Sequence, residues 1–153
     1  RTVTGGGTVG HPSNAAVPYV ITSPVWDTAD GGTGGDIVQL IDVPADTMIV
    51  AGCLEVLEAR GNGQITMDIG FTGGDVDCFV DGSACAAGFT PFLEAAVGAS
   101  GANARMLTSA DTIDALILDG GSSGESALRF RIHVVMVDVS VNPVESATVS
   151  TGT

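Results

Sequence analysis

Four aspartates lie among glycines in the stretch DIGFTGGDVDCFVDG, residues 68 to 82, and clustered carboxylates can bind a divalent cation or act as acid and base. They are Asp68, Asp75, Asp77 and Asp81. Acid–base catalysis needs a cleft that shifts a carboxyl pKa, together with a partner base or nucleophile. An exposed glycine loop supplies neither, so we expect solvated turn acids and no catalytic residue.

The same stretch lacks the spacing of an EF-hand, which places oxygen ligands at loop positions 1, 3 and 5, a glycine at 6 and a glutamate at 12. Counted from Asp75, position 5 is Phe79. Counted from Asp77, position 3 is Phe79 and position 12 is Gly88. We therefore expect no metal site, and Asp75, Asp77 and Asp81 stay the candidates for a divalent site of another kind.

Two glycine patterns match ligand-binding motifs without the context that those motifs need. Gly5-x-Gly7-x-x-Gly10 spells a dinucleotide fingerprint, but Pro12 follows it where a helix should face the pyrophosphate. GGTGGDIVQ, residues 31 to 39, matches one calcium nonapeptide, and one copy cannot form a site shared between stacked turns. We expect a loop before a strand there, and no cofactor.

Gly120-x-Ser122-x-Gly124 has the spelling of a nucleophile elbow, in which a serine joins a strand to a helix. The segment that follows it, ALRFRIHVVMV, has the pattern of a strand. His133 is the only histidine downstream, and Glu125 is the only acid between it and the serine. We interpret the pattern as a glycine-serine turn, which leaves a hydrolase as the weakest of the functions considered.

The three cysteines, Cys53, Cys78 and Cys85, do not form a disulfide framework, because their number is odd and the chain is long. No Cys-x-x-Cys pair occurs, and His11 lies far from His133, so a zinc site is not expected. We expect the cysteines to be small buried apolar residues. A bridge between the second and third cysteines is the alternative.

Charge excludes several classes of partner. The chain has 153 residues, 18 acids against five arginines, no lysine and a formal net charge of −13. A nucleic-acid-binding surface needs a basic footprint, and an anionic membrane would repel this chain. No apolar run is long enough for a transmembrane helix. The balance suits a soluble, self-repelling subunit, or one that docks on a basic protein surface.

From Asp36 onward, β-branched and alternating apolar runs separated by Gly, Asn, Asp and Pro predict strands. The predicted strands are residues 36–43, 47–59, 64–71, 78–82, 111–120 and 127–139. VPADT predicts a turn, and ARGNGQ predicts a hairpin loop because it contains Asn62-Gly63. Helix is the alternative for 47–59, where Leu54 and Leu57 also fit a 3.6-residue period.

Period-two alternation assigns the faces of these strands. It places Asp68 in solvent. In 47–59 it groups Met48, Val50, Gly52, Leu54 and Val56 on one face, against Ile49, Cys53, Glu55 and Leu57. In 127–139 it groups Arg129, Arg131, His133, Val135 and Val137, against Phe130, Ile132, Val134 and Met136.

The strands predict an all-β fold, a single β-sandwich or jelly-roll-like domain over residues 36–139. Residues 1–35 are rich in glycine and proline and predict an extended N-terminal arm, whose apolar residues lie on the chain's own core or on a neighbouring subunit. Residues 140–153 predict an extended C-terminal tail suited to strand addition. Residues 86–105 predict loop, with one short helical turn near 92–97.

The cadence of the core resembles small β-rich virion proteins of tailed bacteriophages, of the head decoration or cement type. The segments that carry the resemblance are DIVQLIDVPADTMIVAGCLEVLEA, GQITMDIGFTGGDVDCFVDG and DTIDALILDGGSSGESALRFRIHVVMV. It covers about residues 36 to 139 and leaves out the arm and the tail. Its motifs are strands and turns, not a catalytic signature.

The resemblance implies a non-enzymatic structural protein on the head surface of a virion, with the major capsid protein as its partner. Extended arms can add strands to a neighbour's sheet, and multivalent docking on a symmetric shell multiplies weak contacts. We expect a homo-oligomer, with a cyclic trimer as one option. The alternatives are a tail, neck or fibre component, and a secreted glycan-binding sandwich, for which Tyr19 and Trp26 are the only Tyr and Trp.

Overall fold

Two antiparallel β-sheets pack face to face, as the alternating apolar pattern predicts. The computed structural model describes residues 17–27, 34–59, 65–71, 73–92, 105–119 and 128–139. All regular secondary structure in these residues is β-strand. The predicted all-β sandwich is therefore confirmed, and the helix alternative for 47–59 is wrong. No helix that could cross a membrane occurs among the described residues.

The described residues form ten strands in two sheets. They are β1 Pro18–Thr22, β2 Trp26–Asp27, β3 Ile37–Val43, β4 Thr47–Glu58, β5 Thr66–Gly70, β6 Val80–Ala84, β7 Gly88–Pro91, β8 Arg105–Leu107, β9 Asp111–Asp119 and β10 Arg129–Asp138. Sheet A has the order β1-β10-β4-β7, in which β2 also pairs with β10 and β8 also pairs with β4. Sheet B has the order β3-β9-β5-β6. Each sheet is therefore four strand positions wide.

Aliphatic side chains from both sheets fill the space between them. The largest fully buried side chains, all aliphatic or thioether except one phenylalanine, are Phe130, Ile49, Leu54, Ile65, Met67, Ile69, Ile113, Ile117, Leu128, Ile132, Met136 and Val43. Aromatic rings close the core at its margins: Trp26 meets Phe130 edge-on at 5.2 Å between ring centroids. Phe79 stacks on Phe92 at 5.3 Å. Because only 5% of the residues are aromatic, branched aliphatic side chains fill most of the core.

The faces predicted for β10 are observed along most of the strand. Phe130, Ile132, Val134 and Met136 are fully buried, whereas Arg129, Arg131, His133 and Val135 lie on the outer face. Val137 differs from the prediction, because it is only 6% exposed. Its partners in the register are Pro18 on β1 and Met48 on β4.

The faces predicted for β4 hold only in its second half. Ala51 pairs with Val135 and Ile49 pairs with Met136, so Val50 is an extra residue in the ladder. One extra residue exchanges the two faces of a strand. The alternation predicted Ile49 on the face opposite to that of Leu54 and Val56. Because of the extra residue, all three side chains lie on the same face and are buried.

The hairpin predicted at Asn62-Gly63 is wrong. Residues 60–64 lie outside the described part, but β4 belongs to sheet A and β5 belongs to sheet B. β5 pairs with β6 and β9. The VPADT turn is observed between β3 and β4, with Asp46 in the left-handed region at φ 56°. It too joins strands of different sheets.

Part of the predicted N-terminal arm belongs to the sandwich. β1 pairs with β10 in a register that runs from Pro18 opposite Val137 to Thr22 opposite His133. β2 pairs with the start of β10. Tyr19, Ile21 and Trp26 pack against the core, so these apolar residues lie on the chain's own domain. Residues 1–16 and 140–153 lie outside the described part, and the division into arm, domain and tail stays a prediction.

Besides β1 and β2, two further short strands were not predicted. β7 and the start of β8 fall in residues 86–105, which the sequence assigned to loop. β7 pairs with the second half of β4, and β8 with its first half. The helical turn expected near 92–97 lies, from residue 93 onward, outside the described part.

Candidate functional site

Asp68 does not face solvent, which corrects the sequence prediction. It is 7% exposed, and the backbone N–H of Gly82 donates a hydrogen bond to its Oδ1 at 2.7 Å. Gly82 has a φ of 56° and lies where the β5–β6 register shifts. Asp68 therefore binds the donor that an irregular strand leaves without a ladder partner, which is a structural role.

The loop after β5 folds back tightly over that strand. Phe71 N–H donates to the Asp75 carbonyl at 2.9 Å, and Gly74 N–H donates to the Phe71 carbonyl at 3.0 Å. A Cβ at Gly70 would collide with the backbone of Asp75 and Val76, so only glycine fits there. The GGD sequence thus forms a compact turn against the sheet.

Asp75, Asp77 and Asp81 are all exposed and are close enough to interact. A hydrogen bond with Asp75 raises the pKa of Asp77, and the charges of Asp75 and Asp81 raise it further. No group of three or more His, Cys, Asp or Glu side chains within the described ranges is arranged to hold a metal ion. The expectation that there is no metal site stays a prediction, and so does the candidacy of Asp75, Asp77 and Asp81 for a divalent site.

A polar network crosses the outer face of sheet A and was not predicted. His133 Nδ1 lies 2.8 Å from Thr22 Oγ1, and its Nε2 lies 2.9 Å from Glu55 Oε2. Arg131 Nε donates to the same Glu55 oxygen at 2.5 Å. The hydrogen bonds from Arg131 and then from His133 lower the pKa of Glu55. The network links β1, β10 and β4.

A hydroxyl, an imidazole and a carboxylate in series could activate a nucleophile. Here Thr22 lies exposed on an edge strand, whereas such catalysis needs oxyanion donors in a water-excluding site. Glu55 also shares its oxygen with Arg131. The network is best described as a set of cross-strand contacts, and Ser122 and Glu125 of the elbow pattern lie outside the described residues.

The arginines of β10 pair with acids of their own chain. Arg131 is bound to Glu55, as above, and Arg129 Nε lies 3.6 Å from Asp27 Oδ2. The histidine that a hydrolase would need is held between Thr22 and Glu55.

The cysteines are free thiols. Cys78 and Cys85 are 7% and 2% exposed, as expected of small apolar residues, and burial raises the pKa of Cys85 to about 12. Cys53 is only half-buried on the outer face of sheet A, in contrast to the prediction. Partial burial and the nearby Glu55 raise its pKa. The bridge alternative is not observed.

The loop before β3 has the form expected of GGTGGDIVQ. Residues 34 and 35 make a turn, Gly35 has a φ of 94°, and β3 begins two residues later. Gly35 N–H donates to the Ile117 carbonyl at 2.7 Å, which joins the turn to β9. Residues 31–33 of this motif lie outside the described part.

Three solved structures contain chains of the same fold. A chain of the cyanophage Pam1 capsid asymmetric unit superposes with a TM-score of 0.64 at 13% identity, covering 84% of this chain and 89% of that one. A chain of the acid-stable capsid of Helicobacter pylori bacteriophage KHP30 gives 0.59 at 15% identity, with 82% and 90% covered. A chain of the Ralstonia phage GP4 capsid gives 0.51 at 19% identity, with 80% and 83% covered.

No protein-family model and no curated protein matches the chain. The likeness extends over most of both chains in each pair, so it concerns the whole sandwich and not one shared hairpin. At these identities it establishes the fold, which is the fold of chains found in phage capsids.

Proposed function

We propose that this chain is a non-enzymatic structural protein of a phage virion, and that it decorates the head surface as a cement protein which binds and stabilises the shell. The observation that carries the proposal is the likeness in fold, over 80–84% of this chain, to chains in three phage capsid structures. The major capsid protein is the proposed partner. No cofactor and no nucleic acid takes part.

The polar side chains of the described residues support a structural role. Asp68 binds a backbone donor of its own sheet, and the His133 network joins three strands. Both arginines of β10 are paired within the chain. These contacts serve the stability of the sandwich, as expected of a scaffold.

The strand order supports a jelly roll as the finer description of the sandwich. With β1 and β2 taken as one position and β7 and β8 as another, the sheets contain positions 1-8-3-6 and 2-7-4-5. Two four-stranded antiparallel sheets with long-range connections of this kind define the jelly roll of capsid and lectin domains. Only positions 4 and 5 are neighbours both in the sequence and in a sheet; all the other pairings join strands that are distant in sequence.

A glycan-binding sandwich is less well supported. Lectins stack exposed aromatic rings on sugars, but Tyr19 and Trp26 are partly buried and pack against the core. Trp26 is also in edge contact with Phe130. The partial burial of both rings leaves less aromatic surface for stacking on a sugar.

Electron microscopy of the assembled particle tests the proposal. We expect density for the sandwich on the outside of the head, in contact with the major capsid protein. Particles assembled without the chain should release their DNA at a lower temperature, and adding back the purified protein should restore the wild-type temperature.

Isolated heads and isolated tails provide the control for location. The protein should co-sediment with heads and not with tails. Density found only on the tail, neck or fibres would overturn the decoration role while leaving a virion role in place. Absence from purified virions would overturn both.

A further inference from the structure

The outer face of sheet A has an apolar half. In the register, Val20, Val135 and Ala51 lie side by side across β1, β10 and β4. The next row contains Pro18, Val137, Met48 and Met106 from β1, β10, β4 and β8. Val137 is only 6% exposed, so the accessible residues are Val20, Val135, Ala51, Pro18, Met48, Met106 and Val50, which we call the apolar patch. None of them is charged or polar.

The patch is accessible, and it is bounded by polar rows. Val20 is 66% exposed and Met106 is 56% exposed. Beyond it the same face carries the row of Thr22, His133 and Cys53, and then the pair of Arg131 and Glu55. A contiguous apolar surface with a polar rim is typical of protein–protein contact sites.

The area of the face suits a subunit contact. Four strand positions about 4.8 Å apart and a central strand of 12 residues at about 3.3 Å each give roughly 750 Å². A stable interface buries about 800 Å² on each partner. The full outer face of sheet A is therefore large enough to form one side of such an interface.

The charge distribution indicates which partner this face fits. The strands of sheet B and the loop after β5 contain no arginine or histidine and carry eight acids, of which Asp68 and Asp114 are buried; the other six are Asp42, Asp75, Asp77, Asp81, Asp111 and Asp119. The strands of sheet A contain four acids and three arginines, and Arg129 and Arg131 pair with Asp27 and Glu55. Two copies with a charge of −13 each repel one another least when sheet A faces sheet A and both acidic sheets point away.

We propose that copies of this chain associate through the outer face of sheet A, with the apolar patch at the centre of the contact. A second copy offers the same neutral, apolar surface, whereas a basic partner would prefer the acidic sheet. This goes beyond the proposed virion role and is independent of it, since the association takes place in solution without a phage.

Sedimentation and native mass spectrometry of the purified full chain test the proposal. Val20→Glu places a charge in the patch on edge strand β1, and Met106→Glu does so on β8. Each variant should raise the dissociation constant of the oligomer at least about tenfold, since each replaces a buried apolar contact by a charge.

Ile37→Glu is the matched control. Ile37 is also apolar, 49% exposed and on an edge strand, but it belongs to sheet B. It should leave the oligomer unchanged, and circular dichroism should show that all three variants fold. A monomeric wild type at all concentrations, or equal effects of the sheet A and sheet B variants, would overturn the proposal.

Cys53 provides a second readout within the native chain. It is half-buried beside the patch, whereas Cys78 and Cys85 are buried, so a thiol reagent reports mainly on Cys53. Alkylation should slow several-fold as the wild-type concentration rises through the dissociation constant, and should not slow for Val20→Glu. A rate that is independent of concentration in an oligomeric wild type would place the contact on another surface and contradict the proposal.

Discussion

Glu55 accepts hydrogen bonds from two side chains of the neighbouring strand, Arg131 and His133, through one oxygen. These bonds favour its ionised form and lower its pKa below the usual value of a glutamate side chain. A lowered folded-state pKa contributes stability above the unfolded pKa, and that contribution is lost as the pH falls through the folded value. The network therefore makes sheet A sensitive to acid.

Glu55→Gln should lower the melting temperature at pH 7, because an uncharged acceptor binds Arg131 and His133 more weakly. The difference from wild type should shrink as the pH falls below the usual pKa of a glutamate and through the lowered pKa of folded Glu55, where the wild-type side chain also loses its charge. Thermal melts between pH 7 and pH 3 measure it. Asp42→Asn, at an exposed acid of β3, should show no such convergence. A constant difference across the range would contradict the argument.

Asp68 is held by its position opposite a strand irregularity. Asp68→Ala should destabilise the fold by about 1–3 kcal/mol, because the Gly82 N–H would lose its acceptor. Urea unfolding measures the loss. Asp81→Ala, at the exposed neighbour of Gly82, should change stability by no more than about 0.5 kcal/mol. Equal losses in the two variants would show that charge and not the hydrogen bond is responsible.

At the scale of elements, alternation and turn residues predicted the long strands, because β3, β4, β5, β9 and β10 carry apolar side chains at nearly every second position. The alternating pattern could not locate the bulges. No residue type near Val50 marks it as a bulge, yet this extra residue exchanges the two faces of β4. The same limit hid the role of Asp68, whose partner Gly82 lies 14 residues away across a register shift.

Pairing was harder to predict than the strands themselves. Asn62-Gly63 is a local turn signal, and it does not determine whether the flanking strands share a sheet. β7 and β8 are short and lack alternation, so only their contact with β4 makes them strands. The His133 network depends on that same long-range register, which places Thr22 and Cys53 on either side of the histidine.

The loop after β5 gives a test at this scale. Gly70→Ala should destabilise the fold by about 1–3 kcal/mol, because its Cβ would collide with the backbone of Asp75 and Val76, which cannot yield as a flexible side chain would. Chemical unfolding measures it. Gly74→Ala is the control, since its Cβ would meet nothing within 4 Å. Comparable losses of unfolding free energy in the two variants would mean that the lost flexibility of glycine, and not a collision of the new Cβ, causes the destabilisation.

For the whole molecule, the feature that governs behaviour in solution is the excess of acids on one side of the sandwich. Arginines pair with two acids of sheet A, whereas the strands of sheet B contain acids and no arginine or histidine. Like charges on one face raise the free energy of the folded state. A hydrogen bond with Asp75 is the main cause of the raised pKa of Asp77, and the negative charges of Asp75 and Asp81 raise it further.

Salt should therefore stabilise this protein at neutral pH. Raising sodium chloride from about 0.01 M to about 1 M shortens the Debye length from about 30 Å to about 3 Å and screens the repulsion among the acids. We expect a melting temperature several degrees higher at the greater salt concentration. Near the sequence pI of about 4.1 the net charge vanishes, so the same change in salt should have little effect. A salt increment of equal size at both pH values would show that salt acts on apolar burial instead, and that the acidic face costs the fold nothing.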